Sequence, residues 1–188
     1  PRALRRARAR AAPVRPFVWI FGSLAVLACF PASSRAYEDT ATLGVAVGYA
    51  GMPQSSTLPR NGVDFALSAG GGLGDSWSIQ GLLSHNVYFD ERPLHLSIAG
   101  LETIYALDIV RFVPLIGFGL DGLLSVRDRS ARGDFALHLL LGVDFLINPR
   151  WIIGADVRGF WVATNAQSRL EPFILTAAVR MGVRFDLH

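Results

Sequence analysis

FILTAAVRMGVRFDLH, residues 173–188, alternates apolar and polar side chains almost to its last residue. Every odd position from 173 to 187 is apolar, whereas the charged residues Arg180, Arg184 and Asp186 all occupy even positions. Successive side chains of a β-strand point to opposite faces. The segment therefore predicts a strand with one apolar face and one charged face.

The same period of two recurs along the chain and predicts eight strands, at 42–50, 63–69, 77–89, 95–109, 115–127, 135–147, 151–162 and 173–187. Connections after the odd-numbered strands are mostly longer and more polar, as in an antiparallel up-and-down meander. Strand 95–109 has the poorest pattern, because Glu102 and Asp108 share a parity with Ile98 and Ile104. We expect a bulge or a register ambiguity there.

The first 36 residues differ from the rest and predict a cleavable secretory signal peptide. Residues 1–16 hold six arginines and no acid, and a 14-residue apolar run follows at 17–30. This run is shorter than the roughly 18 to 20 apolar residues of a membrane-spanning helix. Ser34-Arg35-Ala36 offers a cleavage site, so we expect residues 37–188 to form the mature domain.

Charge and cysteine content exclude several function classes for residues 37–188. Seven of the 18 basic residues, all arginine, lie in the predicted signal, which leaves 11 Arg against 15 Asp and Glu and a net charge of −4. The mature chain thus has no basic footprint for nucleic acid. The only cysteine, Cys29, lies in the apolar run, so neither a disulfide nor a cysteine metal site is available. We expect no cofactor and no metal.

The polar parity of the strands is rich in Gly and Ala and contains no Lys, which suits the narrow interior of an eight-stranded barrel. An arginine at the lipid-facing midplane of such a barrel costs roughly 2 to 4 kcal/mol. The charged side chains should therefore point inward and pair there. The predicted interior network consists of Asp64, Glu102, Asp121, Asp144, Asp156, Arg158, Arg180 and Arg184.

Aromatic residues cluster near the ends of the predicted strands. Two girdles that bound an aliphatic belt are typical of a lipid interface. One predicted girdle holds Trp77, Tyr105, Trp151 and Phe185, and the other holds Tyr49, Phe89, Phe135, Trp161 and Phe173.

Residues 40–188 as a whole resemble the small eight-stranded outer-membrane barrels of the OmpA and OmpX type. The last strand is similar to the assembly signal of that family, with Arg180, Gly182, Phe185 and Leu187 at its positions, although family members usually end on the aromatic residue. The resemblance implies a bacterial outer-membrane location with both termini periplasmic. It also implies insertion by the outer-membrane assembly machinery and contact with outer-membrane lipid and lipopolysaccharide.

The leading functional hypothesis is a non-enzymatic barrel with an envelope structural or surface-interaction role through its extracellular loops. The alternatives are a narrow pore, a soluble lipocalin-like ligand-binding barrel with the parities reversed, and a lipid A-modifying enzyme. The enzyme would need Ser84 beside His138, because its neighbour His85 points to the opposite face. We expect His138 to be an interior hydrogen-bond partner and His85 a rim residue.

GFGLDG, residues 117–122, matches the G-x-G-x-x-G pattern of a dinucleotide-binding loop. That loop must open a helix, whereas strand alternation continues through these residues to Val126. We interpret the glycines as small interior positions of a strand.

Overall fold

The computed structural model describes residues 40–55, 58, 60–74, 76–91, 93–107, 112–127, 130–163 and 170–187. The predicted signal peptide, residues 1–36, and Asp108 lie outside these ranges. Within them, no helix combines the length and the hydropathy needed to cross a membrane.

Eight antiparallel strands form one closed barrel in which each strand pairs with its neighbours in chain order. They are β1 Thr40–Gly51, β2 Asn61–Gly72, β3 Trp77–Tyr88, β4 Leu94–Ala106, β5 Phe112–Arg127, β6 Ser130–Leu146, β7 Trp151–Ala163 and β8 Phe173–Asp186. The predicted all-β, up-and-down, eight-stranded barrel is thereby confirmed.

The closing pair joins β8 to β1, from Asp186 opposite Thr40 to Leu175 opposite Gly51. Both described chain ends therefore lie at one end of the barrel, which we call the terminal end. The opposite end, where β1–β2, β3–β4, β5–β6 and β7–β8 connect, is the loop end.

Strands β5 and β6 are longer than the sequence pattern predicted. Their pairing runs from Phe112 opposite Phe145 to Arg127 opposite Ser130, so parts of two predicted turns are strand. Pro114 lies near the start of β5, where a strand tolerates a residue without an N–H, and its carbonyl accepts a 3.0 Å hydrogen bond from the Leu107 N–H.

The prediction of a bulge or a register ambiguity in the fourth strand was wrong. β4 pairs without interruption with β3, from Leu94 opposite Tyr88 to Tyr105 opposite Trp77. It also pairs without interruption with β5, from His95 opposite Val126 to Ala106 opposite Leu115. Ile98 and Ile104 are buried on the same inward parity as Glu102. The prediction failed because it assumed that the inward face is polar along its whole length.

The lumen is layered rather than uniformly polar. An apolar cluster that includes Tyr88, Leu96, Phe160 and Ile174 fills it towards the loop end. A second cluster, Ile104, Ala106, Val113, Leu115 and Leu140, lies towards the terminal end. The buried charged residues lie between them, on inward positions of the middle strand segments.

The outward parity is mostly apolar, and every strand has large apolar side chains that are exposed on it. Leu120 is 66% exposed and Phe135 is 75% exposed. The arrangement is the reverse of a soluble barrel, whose apolar side chains point inward.

The glycines of the GFGLDG segment have different roles within β5. A Cβ on inward Gly119 would collide with the His138 ring and come within 2.6 Å of the Leu101 carbonyl oxygen. A Cβ on outward Gly122 would meet no atom nearer than the Ala99 carbonyl oxygen at 3.8 Å. Close packing against His138 therefore requires a glycine at 119 but not at 122.

Gly119→Val should destabilise the barrel by about 1–3 kcal/mol, because it overpacks the lumen against His138. Urea unfolding of the protein refolded in detergent micelles measures this change. The matched control Gly122→Val adds the same side chain to the outer wall and should stay within about 0.5 kcal/mol of the parent. Equal effects of the two substitutions would contradict the inward assignment of Gly119.

Candidate functional site

Glu102 is the centre of the luminal polar layer. Its Oε1 accepts hydrogen bonds from Gln80 Nε2 at 2.5 Å and from Arg158 Nη2 at 3.2 Å. Its Oε2 lies 2.8 Å from His138 Nε2 and accepts a longer contact from Arg158 Nε at 3.4 Å. The carboxylate is 1% exposed, so protein groups replace water around it.

His138 links two carboxylates across the lumen. Its Nδ1 lies 2.6 Å from Asp121 Oδ2, while its Nε2 faces Glu102. Carboxylate oxygens at both nitrogens suit an imidazole that donates from both positions. Phe160 covers the ring, with the two ring centroids 5.1 Å apart.

Two arginines extend the network towards the terminal end. Arg158 Nη1 donates to Asp156 Oδ1 at 2.5 Å. Arg180 holds Asp144 through two contacts, Nε to Oδ1 at 2.9 Å and Nη2 to Oδ2 at 2.7 Å. A 3.9 Å contact between Arg180 Nε and Asp156 Oδ2 joins the two groups. The connected network thus draws side chains from β3 to β8.

The structure brings together most of the predicted network residues and pairs two of the three arginines with predicted acids, Arg158 with Glu102 and Asp156, and Arg180 with Asp144. Asp121 contacts His138, which the sequence analysis had placed in the interior without giving it a partner. Asp64 accepts a 2.5 Å hydrogen bond from Ser84 Oγ. Arg184 lines a cavity at the terminal end, and Gln80 was missed because a single neutral residue carried no signal.

A cavity of about 90 Å³ lies at the terminal end of the lumen. Its lining includes Ser68, Gln80, Asp144, Arg180 and Arg184, together with glycines of β1, β2 and β8. Gln80, Asp144 and Arg180 of the central network form part of the cavity wall, and the apolar cluster of the loop end lies beyond it. The cavity is therefore a pocket at one end of the lumen, and no passage through the lumen is seen among the described residues.

The structure does not bring Ser84 and His138 together as a nucleophile and a base. Ser84 donates to Asp64, and both nitrogens of His138 face carboxylates. This pair therefore lacks the contact that nucleophilic catalysis requires. His85 lies on the outward face of β3, as expected for the neighbour of an inward residue.

All nine residues of the predicted girdles point outward. At the terminal end Trp77 packs on Tyr105, with ring centroids 4.9 Å apart. At the loop end Trp161 packs on Phe173 at 5.4 Å, and the Tyr49 hydroxyl donates to Asn61 Oδ1. Phe112 and Phe145 form a further outward pair, which the sequence did not predict because the period of two is not evident in residues 110–114.

The four residues of the predicted assembly signal divide between the two faces. Arg180 and Gly182 point inward, and Phe185 is an exposed outward residue of β8. Leu187 is also exposed and lies one residue beyond the end of β8. The alternation that suggested the motif is thus present up to Asp186.

An antiparallel barrel of eight strands with an apolar outer wall and a packed polar lumen has the architecture of small membrane barrels. Neither a family model nor a curated protein matches this chain. Solved structures do match. Neisserial surface protein A (NspA) is 17% identical with a TM-score of 0.61, over 79% of this chain and 97% of that chain. The N-terminal β-barrel domain of Pseudomonas aeruginosa OprF is 17% identical with a TM-score of 0.54, over 78% and 98%.

The same fold also includes an enzyme. The outer-membrane enzyme PagL is 12% identical with a TM-score of 0.50, over 76% of this chain and 98% of that chain. At these identities the likeness defines the fold alone. Function has to be argued from the residues of this chain.

Glu102→Leu should destabilise the barrel by about 3–5 kcal/mol, because it leaves Arg158 buried without its central partner. Urea titration in detergent micelles measures the free energy of unfolding. The matched control breaks the rim ion pair of Arg127 with Asp90, whose nitrogen and oxygen lie 3.3 Å apart at partly exposed side chains. Arg127→Ala should cost at most about 1 kcal/mol. Equal losses would show that Glu102 does not hold the lumen together.

Proposed function

We propose that the mature chain is a bacterial outer-membrane barrel with a closed lumen, an envelope protein that acts through its outer surface and extracellular loops. The observation that supports this proposal most strongly is that packed side chains fill the lumen, with an apolar cluster on each side of the charged layer. In this proposal the terminal end is periplasmic and the loop end faces the exterior. We expect no enzymatic activity inside the lumen, because its charged groups are paired with one another.

The outer wall supports membrane insertion over the soluble lipocalin-like alternative. Large apolar side chains on every strand are exposed, whereas the charged residues at mid-strand are buried. Soluble monomers rarely expose contiguous apolar patches larger than a few hundred Å². Hydrocarbon lipid, including that of lipopolysaccharide, is the partner that this wall fits, and the β8 motif favours delivery by the outer-membrane assembly machinery.

Packing in the lumen argues against the narrow-pore alternative. Glu102, Asp121, His138 and Arg158 are each at most 3% exposed, and Phe160 is 1% exposed. An ion crossing this layer would have to separate charge pairs that have little water around them. The lumen therefore resembles a protein core more than a channel.

Extracellular loops are the second half of the proposal. The described rim already carries charge of both signs, since Asp90 after β3 pairs with Arg127 at the end of β5. Binding residues are often carried on loops that a rigid scaffold positions. A surface partner would meet this rim first.

Membrane insertion predicts a depth pattern for tryptophan fluorescence. Trp77, Trp151 and Trp161 lie near the two ends of the outer wall, so lipids brominated near the headgroup should quench them more strongly than lipids brominated near the chain ends. Refolding into vesicles of each lipid provides the measurement. A protein that remains in solution and escapes quenching by both lipids would overturn the proposal in favour of a soluble barrel.

The closed lumen predicts that the refolded protein gives no unitary current steps in a planar lipid bilayer. A porin inserted under the same conditions serves as the positive control, and heat-modifiable migration on a gel confirms folding of the sample. Reproducible conductance steps from folded protein would replace the proposal with the pore alternative.

A further inference from the structure

Three neighbouring polar side chains interrupt the apolar outer wall. Among the described outward-facing strand residues, the polar ones other than tyrosine and tryptophan are Asn61, His85, His95, Ser97 and Thr103. Asn61 lies at the start of β2 and bonds to Tyr49. His85, His95 and Ser97 form a cluster, which we call the wall triad.

Strand register places the wall triad in direct contact. His85 of β3 lies opposite Ser97 of β4, and His95 is two residues from Ser97 on the same face. Ser97 Oγ lies 3.0 Å from His85 Nδ1, and His85 Nε2 lies 3.4 Å from His95 Nδ1. The two imidazole rings are stacked, with centroids 5.6 Å apart. A hydroxyl, a base and a third group that orients the base are thus in one line.

The hydrogen bonds of the wall triad can all form between neutral side chains. If the Ser97 hydroxyl donates to His85 Nδ1, then His85 Nε2 carries the proton and donates to His95 Nδ1. This tautomer leaves Ser97 aligned with an unprotonated nitrogen, which is the arrangement that activates a serine nucleophile. Neutral groups also suit a site on an apolar wall, where charge is unfavourable.

Position and shape favour a lipid as the substrate. His95 is the second residue of β4, so the triad lies towards the loop end of the wall. Two residues from Ser97 on the same face of β4 is Ala99, which lies opposite Leu83 of β3 and Gly122 of β5. Ala99 and Gly122 are small, whereas Leu83, Leu101 and Leu124 around them are large and exposed. The difference in side-chain size leaves a shallow depression there, in which an acyl chain can lie against the barrel.

We propose that the wall triad hydrolyses acyl esters of outer-leaflet lipids, with Ser97 as nucleophile, His85 as general base and His95 as the residue that positions His85. Ser97 Oγ attacks the ester carbonyl carbon while its proton passes to His85 Nδ1. The lipid alcohol leaves with that proton, and the acyl group remains on Ser97. Water then attacks the acyl-serine while His85 Nδ1 takes its proton. As the bond between the acyl carbon and Ser97 Oγ breaks and the fatty acid leaves, that proton passes from His85 to Ser97 Oγ.

This inference goes beyond the proposed function and rests on it for the membrane location, because the substrate is an outer-leaflet lipid. Labelling of Ser97 in detergent micelles does not depend on that location, so the two proposals can fail separately. Loss of the wall triad would leave a folded, closed barrel. The two histidines also do not make a metal site, because no group of three or more His, Cys, Asp or Glu among the described residues can hold a metal ion.

A fluorophosphonate probe, which modifies activated serines, tests the nucleophile directly. Folded protein in detergent micelles should be labelled at Ser97, as located by peptide mass spectrometry, and Ser97→Ala should abolish labelling. His85→Leu should lower the labelling rate by about 10²- to 10⁴-fold, the usual contribution of a general base. Thr103→Val removes another outward hydroxyl of β4 and should leave the rate unchanged.

His95 needs a separate readout, because it acts through His85. His95→Leu should lower the labelling rate less than His85→Leu does. His95→Asn, whose amide oxygen can accept from His85 Nε2–H in place of Nδ1, should restore much of the rate. Equal rates for His95→Leu and the parent would overturn the positioning role.

Turnover is tested in vesicles of phosphatidylethanolamine alone and with added lipopolysaccharide, and mass spectrometry of the released fatty acids identifies which lipid supplied the ester. Release from either lipid that disappears in Ser97→Ala supports the proposal. Gly122→Leu fills the depression and should reduce release while leaving labelling by a small probe unchanged. The proposal is overturned if folded parent protein neither labels at Ser97 nor releases fatty acid, or if Ser97→Ala releases as much as the parent.

Discussion

The structure depends on one constraint, that charged side chains on strands with an apolar outer face must point inward and find partners there. A carboxylate or guanidinium buried alone is strongly unfavourable, and one that is paired and hydrogen-bonded is tolerated. Glu102 meets this condition through Gln80, His138 and Arg158, which come from three other strands. The same contacts link opposite walls of the barrel, so the polar layer is also what fills its centre.

Periodicity was enough to predict the strands, their number and the direction of each face, because a period of two is a local property of the chain. Partner choice was not predictable in the same way. His138 and Glu102 are 36 positions apart, and their contact depends on which strands face each other across the lumen. The expected bulge in β4 failed for a related reason, since Ile98 and Ile104 belong to apolar layers that no single strand reveals. The wall triad was missed because Ser97 and His85 meet only through the β3–β4 register.

Lumen and wall have different capacities for function. Inside, acids and bases are present in number, but they are occupied with each other and closed off by Phe160, Ile104 and their neighbours. Outside, the wall is almost featureless, so a few polar groups stand out and remain accessible from the lipid. Barrels of this architecture include an enzyme as well as a surface protein, so the fold alone does not decide between these roles.

The β5–β6 pair is the longest described strand pair of the barrel and reaches Arg127 opposite Ser130 at the loop end. This end of the pair carries the charged residues Arg127, Arg132 and Asp134. Charged side chains disfavour the addition of a strand from another molecule. The charges of this long hairpin therefore discourage neighbouring copies from pairing with each other at their loop ends.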